Sequence, residues 1–162
     1  MSDEVAAYIA GFLDGDGSIM AQLVARKDYR LGYQIRVSIV FYQKHSHQEI
    51  LFWLKEQLQF GYIRSRNDGM VEYTIVGLNE VEKVLKLLYP KLRLKKRLAS
   101  EVLRLISLHP KKMTAKKLLR LASLVDKTAE FNYSKKRTNT SETLKRYLND
   151  NRLFPVETLD EC

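Results

Sequence analysis

The chain has almost no cysteine, since Cys162 is the only one in its 162 residues. No internal disulfide can form, which fits a reducing compartment. An apolar run long enough to cross a bilayer is also missing. The acidic start, Met1 to Glu4, argues against a secretory signal and against an Arg-rich transit peptide. Linkers, low-complexity tracts and internal repeats are absent too, so we expect one domain over residues 1–152 and a flexible tail over residues 153–162.

Acidic residues are in the minority. The chain has 28 Lys and Arg against 19 Asp and Glu, a formal net charge of +9 and a pI near 9.6. Such an excess indicates a polyanionic partner, either nucleic acid or an anionic membrane surface. No stretch is amphipathic and basic enough to lie on a membrane, which leaves nucleic acid as the expected partner. With 45% hydrophobic residues the chain can still bury a core.

The segment from Tyr8 to Gly17 joins a predicted helix to a pair of carboxylates. Ala7, Gly11 and Gly15 recur every four residues, so they share one helical face that has almost no side chain. Another helix can approach such a face closely. A second copy of this chain would bring two Asp16 side chains together near one axis. The predicted dimer interface comprises Ala7, Ala10, Gly11, Asp14 and Gly15. The alternative is an ordinary core helix that contains glycine.

This segment resembles the LAGLIDADG motif of homing endonucleases, which it matches at Ala10, Gly11, Asp14, Asp16 and Gly17. The likeness extends to about residue 149. Members with two motifs are pseudo-symmetric monomers, whereas members of this length with one motif are homodimers. The resemblance looks closest to single-motif enzymes of algal organellar introns, encoded in a chloroplast or mitochondrion. It implies intron homing by site-specific cleavage of both DNA strands, leaving short 3′ overhangs.

The resemblance also implies roles for individual residues. Asp16 and the carbonyl of Gly15 match the ligands of Mg²⁺, for which Mn²⁺ can substitute, and hard oxygen donors suit these ions. Gln43 and Lys95 match residues that order active-site water and stabilise phosphate charge. His47 stands where relatives carry a cationic residue, so its auxiliary catalytic role is left open. A His45–His47 metal site is a weaker alternative, because no third ligand accompanies it.

Alternation of apolar and polar residues predicts two β-hairpins, over residues 19–42 and 62–76. One face of each is apolar, and the other mixes polar side chains with Met, Val and Tyr. Gln and Arg read base edges, and apolar groups contact thymine methyls. A solvated sheet face is the alternative. The predicted DNA contacts on the hairpins are Met20, Gln22, Val24, Arg26, Asp28, Tyr29, Gln34, Arg36, Ser38, Val40, Tyr42, Arg64, Arg66, Glu72 and Thr74.

Apolar residues at helical spacing predict the remaining elements. Ser46 with Glu49 and Asn79 with Glu82 form candidate capping boxes. A stripe from Leu94 to Ile106 and another from Leu118 to Val125 predict two further helices, and a last short helix starts near Ser141. The order helix, two strands, helix, two strands, helix is an α+β plan. It coincides with the αββαββα core that the resemblance implies, with extra C-terminal helices and a saddle-shaped antiparallel sheet for DNA.

A basic run precedes the last predicted helix. Clustered cations, amides and hydroxyls bind phosphate without reading sequence. The predicted phosphate contacts are Lys135, Lys136, Arg137 and Asn139, and a solvated charged loop is the alternative. Two other functions compete with cleavage: a non-cleaving nucleic-acid binder, such as an intron RNA maturase or a repressor, and a structural dimer. No membrane or small-molecule partner is expected.

Overall fold

The computed structural model describes residues 1–132 and 137–155. It confirms the α+β plan, with helices and one four-stranded sheet in the strand order β1-β2-β4-β3. The elements are α1 (Asp3–Asp16), β1 (Gly17–Ala25), β2 (Tyr33–Lys44), α2 (Glu49–Leu58), β3 (Tyr62–Ser65), β4 (Met70–Val76), α3 (Leu78–Leu88), α4 (Lys96–Ser107), α5 (Ala115–Thr128) and α6 (Ser141–Asp150). Short 3₁₀ turns cover His45–His47 and Ala129–Phe131.

Backbone contacts divide the chain into two compact units. The first contains residues 1–21 and 36–107, and the second contains residues 22–35 and 108–162. Strands β1 and β2 each begin in one unit and end in the other. The expectation of one domain over residues 1–152 stays a prediction.

The core of the first unit lies between helices and one face of the sheet. Strands β2 and β4 are antiparallel and place Phe41 opposite Tyr73, with their rings stacked at 5.7 Å between centroids. The Tyr73 hydroxyl, fully buried, donates a hydrogen bond to the carbonyl of Phe60 at 2.6 Å. Helix α1 contributes Ile9 and Leu13, both fully buried. Burial of these large side chains from α1, β2 and β4 fixes the helix on the apolar face of the sheet.

In the second unit α5 and α6 pack together through buried leucine and valine side chains. The start of α6 is tied to α5, because Asp126 accepts hydrogen bonds from the Ser141 amide at 2.9 Å and from its hydroxyl at 2.5 Å. Thr140 and Thr143 complete a capping box at the same end. The predicted start of this helix at Ser141 is therefore confirmed.

Two predicted helix caps are wrong. Ser46 does not cap α2: it lies inside a 3₁₀ turn, and the helix begins at Glu49 after Gln48. The cause is the length of β2, which runs to Lys44 and leaves only a tight turn before the helix. Helix α3 begins two residues earlier than predicted, at Leu78, after Gly77 with φ 118°. Glycine adopts that conformation readily, so the chain turns from β4 into α3 without the predicted cap at Asn79.

Leu94 was predicted in the buried stripe of α4, and this is also wrong. Its side chain is 67% exposed, because α4 begins only at Lys96. The buried residues of that helix include Leu98, Val102 and Leu105, as predicted.

Candidate functional site

Helix α1 ends abruptly at Asp16, where the chain passes directly into β1. Gly17 is extended, and its amide donates to the carbonyl of Leu13. A Cβ at position 17 would lie 2.6 to 2.9 Å from atoms of Leu13, so only glycine fits this close passage. The Asp16 side chain is exposed at the helix end. The carbonyl of Gly15 lies in the last turn, where carbonyls have no helical donor.

Asp14 holds a neighbouring turn of its own protomer. Its carboxylate accepts hydrogen bonds from the amides of Arg93 at 2.7 Å, Leu94 at 3.1 Å and Lys95 at 2.9 Å. These amides directly precede α4, whose positive helix end favours a nearby anion. Asp14 therefore ties the end of α1 to the start of α4.

Lys95 is brought to the two acids by that turn. Its ammonium donates a hydrogen bond to the carbonyl of Asp14 at 2.5 Å. Partial burial lowers the pKa of Lys95, while the negative charges of Asp14 and Asp16 oppose that shift. The end of α1 therefore carries an exposed carboxylate, a held carboxylate and a positioned cation within electrostatic reach of each other.

Carboxylate and carbonyl oxygens at the end of α1 suit a hard divalent cation such as Mg²⁺ or Ca²⁺. Asp16 and Gly15 would hold it. In the described residues, 1–132 and 137–155, no group of three or more His, Cys, Asp or Glu side chains could hold a metal ion. The His45–His47 alternative is not among such groups, and His47 contacts Ser46 instead.

Gln43 and His47 lie on another element. Gln43 is the second-last residue of β2 and pairs with Val71, and its side-chain oxygen accepts from the Lys44 amide at 3.2 Å. His47 is exposed in the following 3₁₀ turn. Within the described ranges, no hydrogen bond or ion pair joins either residue to Asp16 or Lys95.

The strand register defines the mixed face of the sheet within the first unit. One row places Val40, Thr74 and Tyr62 side by side, and the next places Tyr42, Glu72 and Arg64. Within this unit Met20 and Tyr42 are half-buried and Arg36 is exposed. The face therefore combines aromatic, apolar and cationic groups, as the alternation predicted.

Four of the predicted DNA contacts on this face are nevertheless buried. Ser38 is 2% exposed, Val40 4%, Thr74 4% and Glu72 8%. They stand on the two inner strands, with neighbours on both sides. Arg64 binds the Glu72 carboxylate at 2.6 Å, and Arg66 lies 3.8 Å from it. Strand alternation assigned the face correctly but did not show that these four positions have little exposed surface, and their contacts with DNA stay predictions.

The tip of the first hairpin belongs to the second unit. There Gln22 is exposed, Val24 is half-buried, and a cluster of four polar and aromatic side chains follows. The members of this cluster are Arg26, Asp28, Tyr29 and Gln34. All four were predicted to contact DNA.

The structure contains the bare face of α1, but only some of the residues predicted for the dimer interface lie on it. Ala7, Gly11 and Gly15 are exposed, and a Cβ at either glycine would meet no atom within 4 Å. Ala10 is fully buried in its own protomer. Its place in the interface was wrong, because spacing by four aligns Ala10 with Ala6 on the core side. The Asp14 carboxylate is engaged within the protomer.

Arg137 and Asn139 are half-buried, whereas Lys135 and Lys136 lie outside the described residues. The Arg137 guanidinium donates to the Val125 carbonyl at 2.8 Å and to the Thr128 hydroxyl at 3.3 Å. Burial lowers its pKa. These two bonds hold the guanidinium against the last turn of α5, and the phosphate contact predicted for Arg137 stays a prediction.

Sequence reasoning missed Lys44 and Tyr62. Both lie on the mixed face, because Lys44 pairs with Met70 and Tyr62 with Thr74, and both are exposed. The alternation contains this signal, because Lys44 is the next same-face position two residues after Tyr42 and Tyr62 is the same-face position two residues before Arg64. Leu94 was missed as an exposed apolar group beside the turn that Asp14 holds.

Comparison with known proteins places these features in a family. The protein-family model described as LAGLIDADG endonuclease matches residues 9–100 of this chain. The chain is 39% identical to the DNA endonuclease I-CvuI of Chlorella vulgaris over 142 residues, which cover 88% of each protein. It is 34% identical to the DNA endonuclease I-CreI of Chlamydomonas reinhardtii, over 90% of this chain and 89% of that protein.

Crystal structures of I-CvuI have a similar fold. The complex with its target in 2 mM Ca has a TM-score of 0.89 and 37% identity, over 94% of this chain and 97% of that one. A complex with the I-CreI target in 2 mM Mg, in which the DNA is not cleaved, has a TM-score of 0.87 and 38% identity, over 91% and 94%. Among the helices of the described residues, none has the length and apolar character needed to span a membrane.

Proposed function

Because the chain belongs to the LAGLIDADG endonuclease family, we propose that it is a site-specific DNA endonuclease that acts as a homodimer with a divalent metal ion. The observation that carries this proposal is the end of α1, where exposed Asp16 lies beside a cation held by Asp14. The two relatives are both DNA endonucleases.

The bare face of α1 supports the homodimer. Gly11 and Gly15 leave open space at the surface of the protomer, which lets a second α1 approach closely. Tyr8 and Leu94 are large apolar side chains that remain more than half exposed, and a partner subunit would cover such groups. A two-fold axis at this face brings the two Asp16 carboxylates together.

The mixed face of the sheet supports DNA binding. Arg36 and Lys44 are exposed cations on β2, and Tyr42 with Tyr62 adds aromatic surface. A strand of about nine residues at roughly 3.3 Å each spans about nine base-pair steps of roughly 3.4 Å. Two subunits would therefore cover a pseudopalindrome of about twenty base pairs.

Asp16 and the Gly15 carbonyl would hold the divalent ion at the centre of this duplex. Once bound, the ion stabilises negative charge on the scissile phosphate and lowers the pKa of water. We propose Mg²⁺ as the natural ion, with Mn²⁺ as a substitute, because oxygen donors suit both. Phosphate oxygens and water would supply the remaining ligands.

The protein's own residues position the phosphate and the water. Lys95 places a positive charge beside the phosphate, and its anchoring to Asp14 keeps that charge in place. Gln43 accepts from the Lys44 amide through its oxygen, which leaves its NH₂ group to orient water. His47, when protonated, would donate to phosphate. Cleavage across the minor groove would leave short 3′ overhangs. We propose intron homing in a chloroplast or mitochondrion as the setting; the two relatives come from Chlorella vulgaris and Chlamydomonas reinhardtii.

A randomised duplex library tests the proposal. We expect cleavage of a limited set of sequences in Mg²⁺ and none in EDTA. Asp16→Asn should lower cleavage at least about a thousandfold, because a neutral amide holds the ion poorly, and should retain most DNA affinity. Asp150→Asn removes an exposed acid at the end of α6 and serves as the control.

Each other outcome contradicts part of the proposal. Binding without cleavage by the wild type would favour the maturase or repressor alternative. Cleavage by Asp16→Asn at the wild-type rate would overturn the metal assignment. A protein that neither binds nor cuts would be the structural dimer.

A further inference from the structure

At the tip of the first hairpin the side chain of Arg26 is held by its neighbours. We propose that Asp28 positions Arg26 to read a guanine in the major groove, so that each half-site of the target contains one G·C pair specified by these two residues. This inference rests on the proposed function and adds one base of its specificity.

The hold on Arg26 is bidentate. Its Nε donates to Asp28 Oδ1 at 2.9 Å and its Nη2 donates to Oδ2 at 2.6 Å. The Arg26 amide also donates to the Gly32 carbonyl at 2.8 Å, which closes the loop on which both residues stand. A planar guanidinium bound through two parallel hydrogen bonds has a fixed plane.

Two further residues restrain the other sides of the guanidinium. Nη1 donates to Gln34 Oε1 at 3.3 Å, and Gln34 belongs to β2, the opposite strand of the hairpin. The guanidinium carbon lies 5.2 Å from the centre of the Tyr29 ring, within the range of a cation–π contact. Arg26 is thereby oriented before any DNA arrives, which reduces the cost of ordering it on binding.

The donors that remain match guanine. A guanidinium has five N–H groups: one on Nε and two on each Nη. Asp28 takes two and Gln34 takes one, which leaves one N–H on Nη1 and one on Nη2. In the major groove guanine offers two acceptors, N7 and O6, whereas adenine pairs one acceptor with a donor and cytosine offers a donor. One remaining donor on each Nη nitrogen therefore matches the two acceptors of guanine better than the mixed edges of the other bases.

The ion pair has no evident role in folding. Both side chains are exposed, and exposed ion pairs contribute little to stability. The Arg26 hydrogen bonds lower the pKa of Asp28 to about 2, so the carboxylate stays ionised at neutral pH. The pair has no net charge and adds little to non-specific attraction for DNA. Orientation of Arg26 is the effect that remains.

The test compares cleaved sequences selected from a randomised duplex library in Mg²⁺. The wild type should prefer guanine at one position of each half-site. Arg26→Ala should lower the preference for guanine over the other bases at that position about tenfold or more. Asp28→Ala should weaken it several-fold at the same position only, while affinity for unrelated DNA stays equal or rises because one negative charge is removed. The guanine preference of Asp28→Asn should lie between those of the wild type and Asp28→Ala, since one side-chain oxygen can still accept a hydrogen bond from Arg26.

Lys27→Ala is the matched control, because Lys27 is exposed in the same loop and its loss should leave the guanine preference unchanged. A wild-type consensus without a guanine that depends on Arg26 would overturn the inference and leave the proposed function standing. An equal loss of affinity for all sequences in Asp28→Ala would assign it a structural role and also overturn the inference. If the wild type neither binds nor cuts DNA, the proposed function fails and this inference fails with it.

Discussion

Asp14 and Asp16 stand two residues apart on one helix, yet their surroundings give them different roles. The Asp14 carboxylate accepts hydrogen bonds from three backbone amides of the turn before α4, whereas Asp16 is exposed as the last residue of α1. The first acid stabilises the fold and positions Lys95, and the second is available to a ligand.

Substitution of these two acids should therefore separate stability from activity. Asp14→Ala leaves three amides without their charged acceptor, so we expect the free energy of unfolding to fall by about 2 kcal/mol. Asp16→Ala should change it by less than about 0.5 kcal/mol. Urea denaturation of both variants measures the difference. Equal losses of stability would show that the hydrogen bonds of Asp14 contribute nothing specific.

Tyr73 gives a prediction about pH. Burial raises the pKa of its hydroxyl well above the ordinary value, so the folded state keeps the proton at a pH where the unfolded chain has lost it. At pH 8 Tyr73→Phe should lower the free energy of unfolding by about 1 kcal/mol, because the Phe60 carbonyl loses its hydrogen-bond donor. Above pH 10 the wild type loses about 1.4 kcal/mol per pH unit through this group, and the phenylalanine variant does not.

Denaturation should therefore show that the wild type is more stable than Tyr73→Phe at pH 8 and less stable at pH 11. Tyr62→Phe is the control, since Tyr62 is 45% exposed on the neighbouring strand. If the free energies of unfolding of wild type and Tyr73→Phe differed by the same amount at both pH values, the raised pKa of Tyr73 would be contradicted.

At the scale of single residues, sequence alone located Asp16 and the mixed face but did not establish the exposure of individual positions. Glu72 lies on the same face of the sheet as exposed Arg64, with which it pairs across the strands. It is nevertheless buried, because Arg64 and Arg66 cover it. Such cover depends on side chains from adjacent strands, and the register between strands is not encoded in the alternation of one strand.

Helix α1 offers a test at the scale of the element. In an exposed helix leucine is favoured over glycine by roughly 0.8 kcal/mol, and a side chain at Gly11 meets no atom of its own protomer within 4 Å. Gly11→Leu should therefore keep or raise the stability of the protomer while it separates the dimer. Sedimentation should show the mass of one protomer in place of two.

Lys116→Leu adds leucine to an exposed position of α5 and should leave the mass unchanged. Loss of folded protein in Gly11→Leu would contradict the open space around Gly11. A dimer that persists in the folded variant would exclude this face from the interface.

The elements themselves were largely predictable, because apolar periodicity dictates which faces are buried. Their ends were less so. The candidate caps at Ser46 and Asn79 have suitable residue types, but β2 extends to Lys44 and Gly77 turns the chain into α3 directly. Leu94 fits the stripe of α4, yet the distant carboxylate of Asp14 holds its amide in a turn. Strand pairing of β2 and the Asp14 hydrogen bond are tertiary constraints, whereas at α3 one local signal, the turn at Gly77, overrode another.

At the scale of the whole molecule, charge and symmetry act together. Each protomer has a formal net charge of +9, so phosphate contacts should dominate affinity and make it depend on salt. If two protomers of 18.9 kDa bind one duplex, a half-length duplex loses all contacts of the second subunit. The slope of log affinity against log salt, at roughly −0.9 per phosphate neutralised, should then be about half as steep.

This prediction can be measured with duplexes built on the consensus that the library yields. The full pseudopalindrome should bind about 100-fold or more tightly than either half, because the second subunit engages at a high effective concentration. A full-length duplex with scrambled half-sites should keep most of the steep slope but lose affinity, since phosphates remain and base contacts do not. Equal slopes for full and half duplexes would mean that one protomer makes all the contacts, and a two-fold arrangement on DNA would then be excluded.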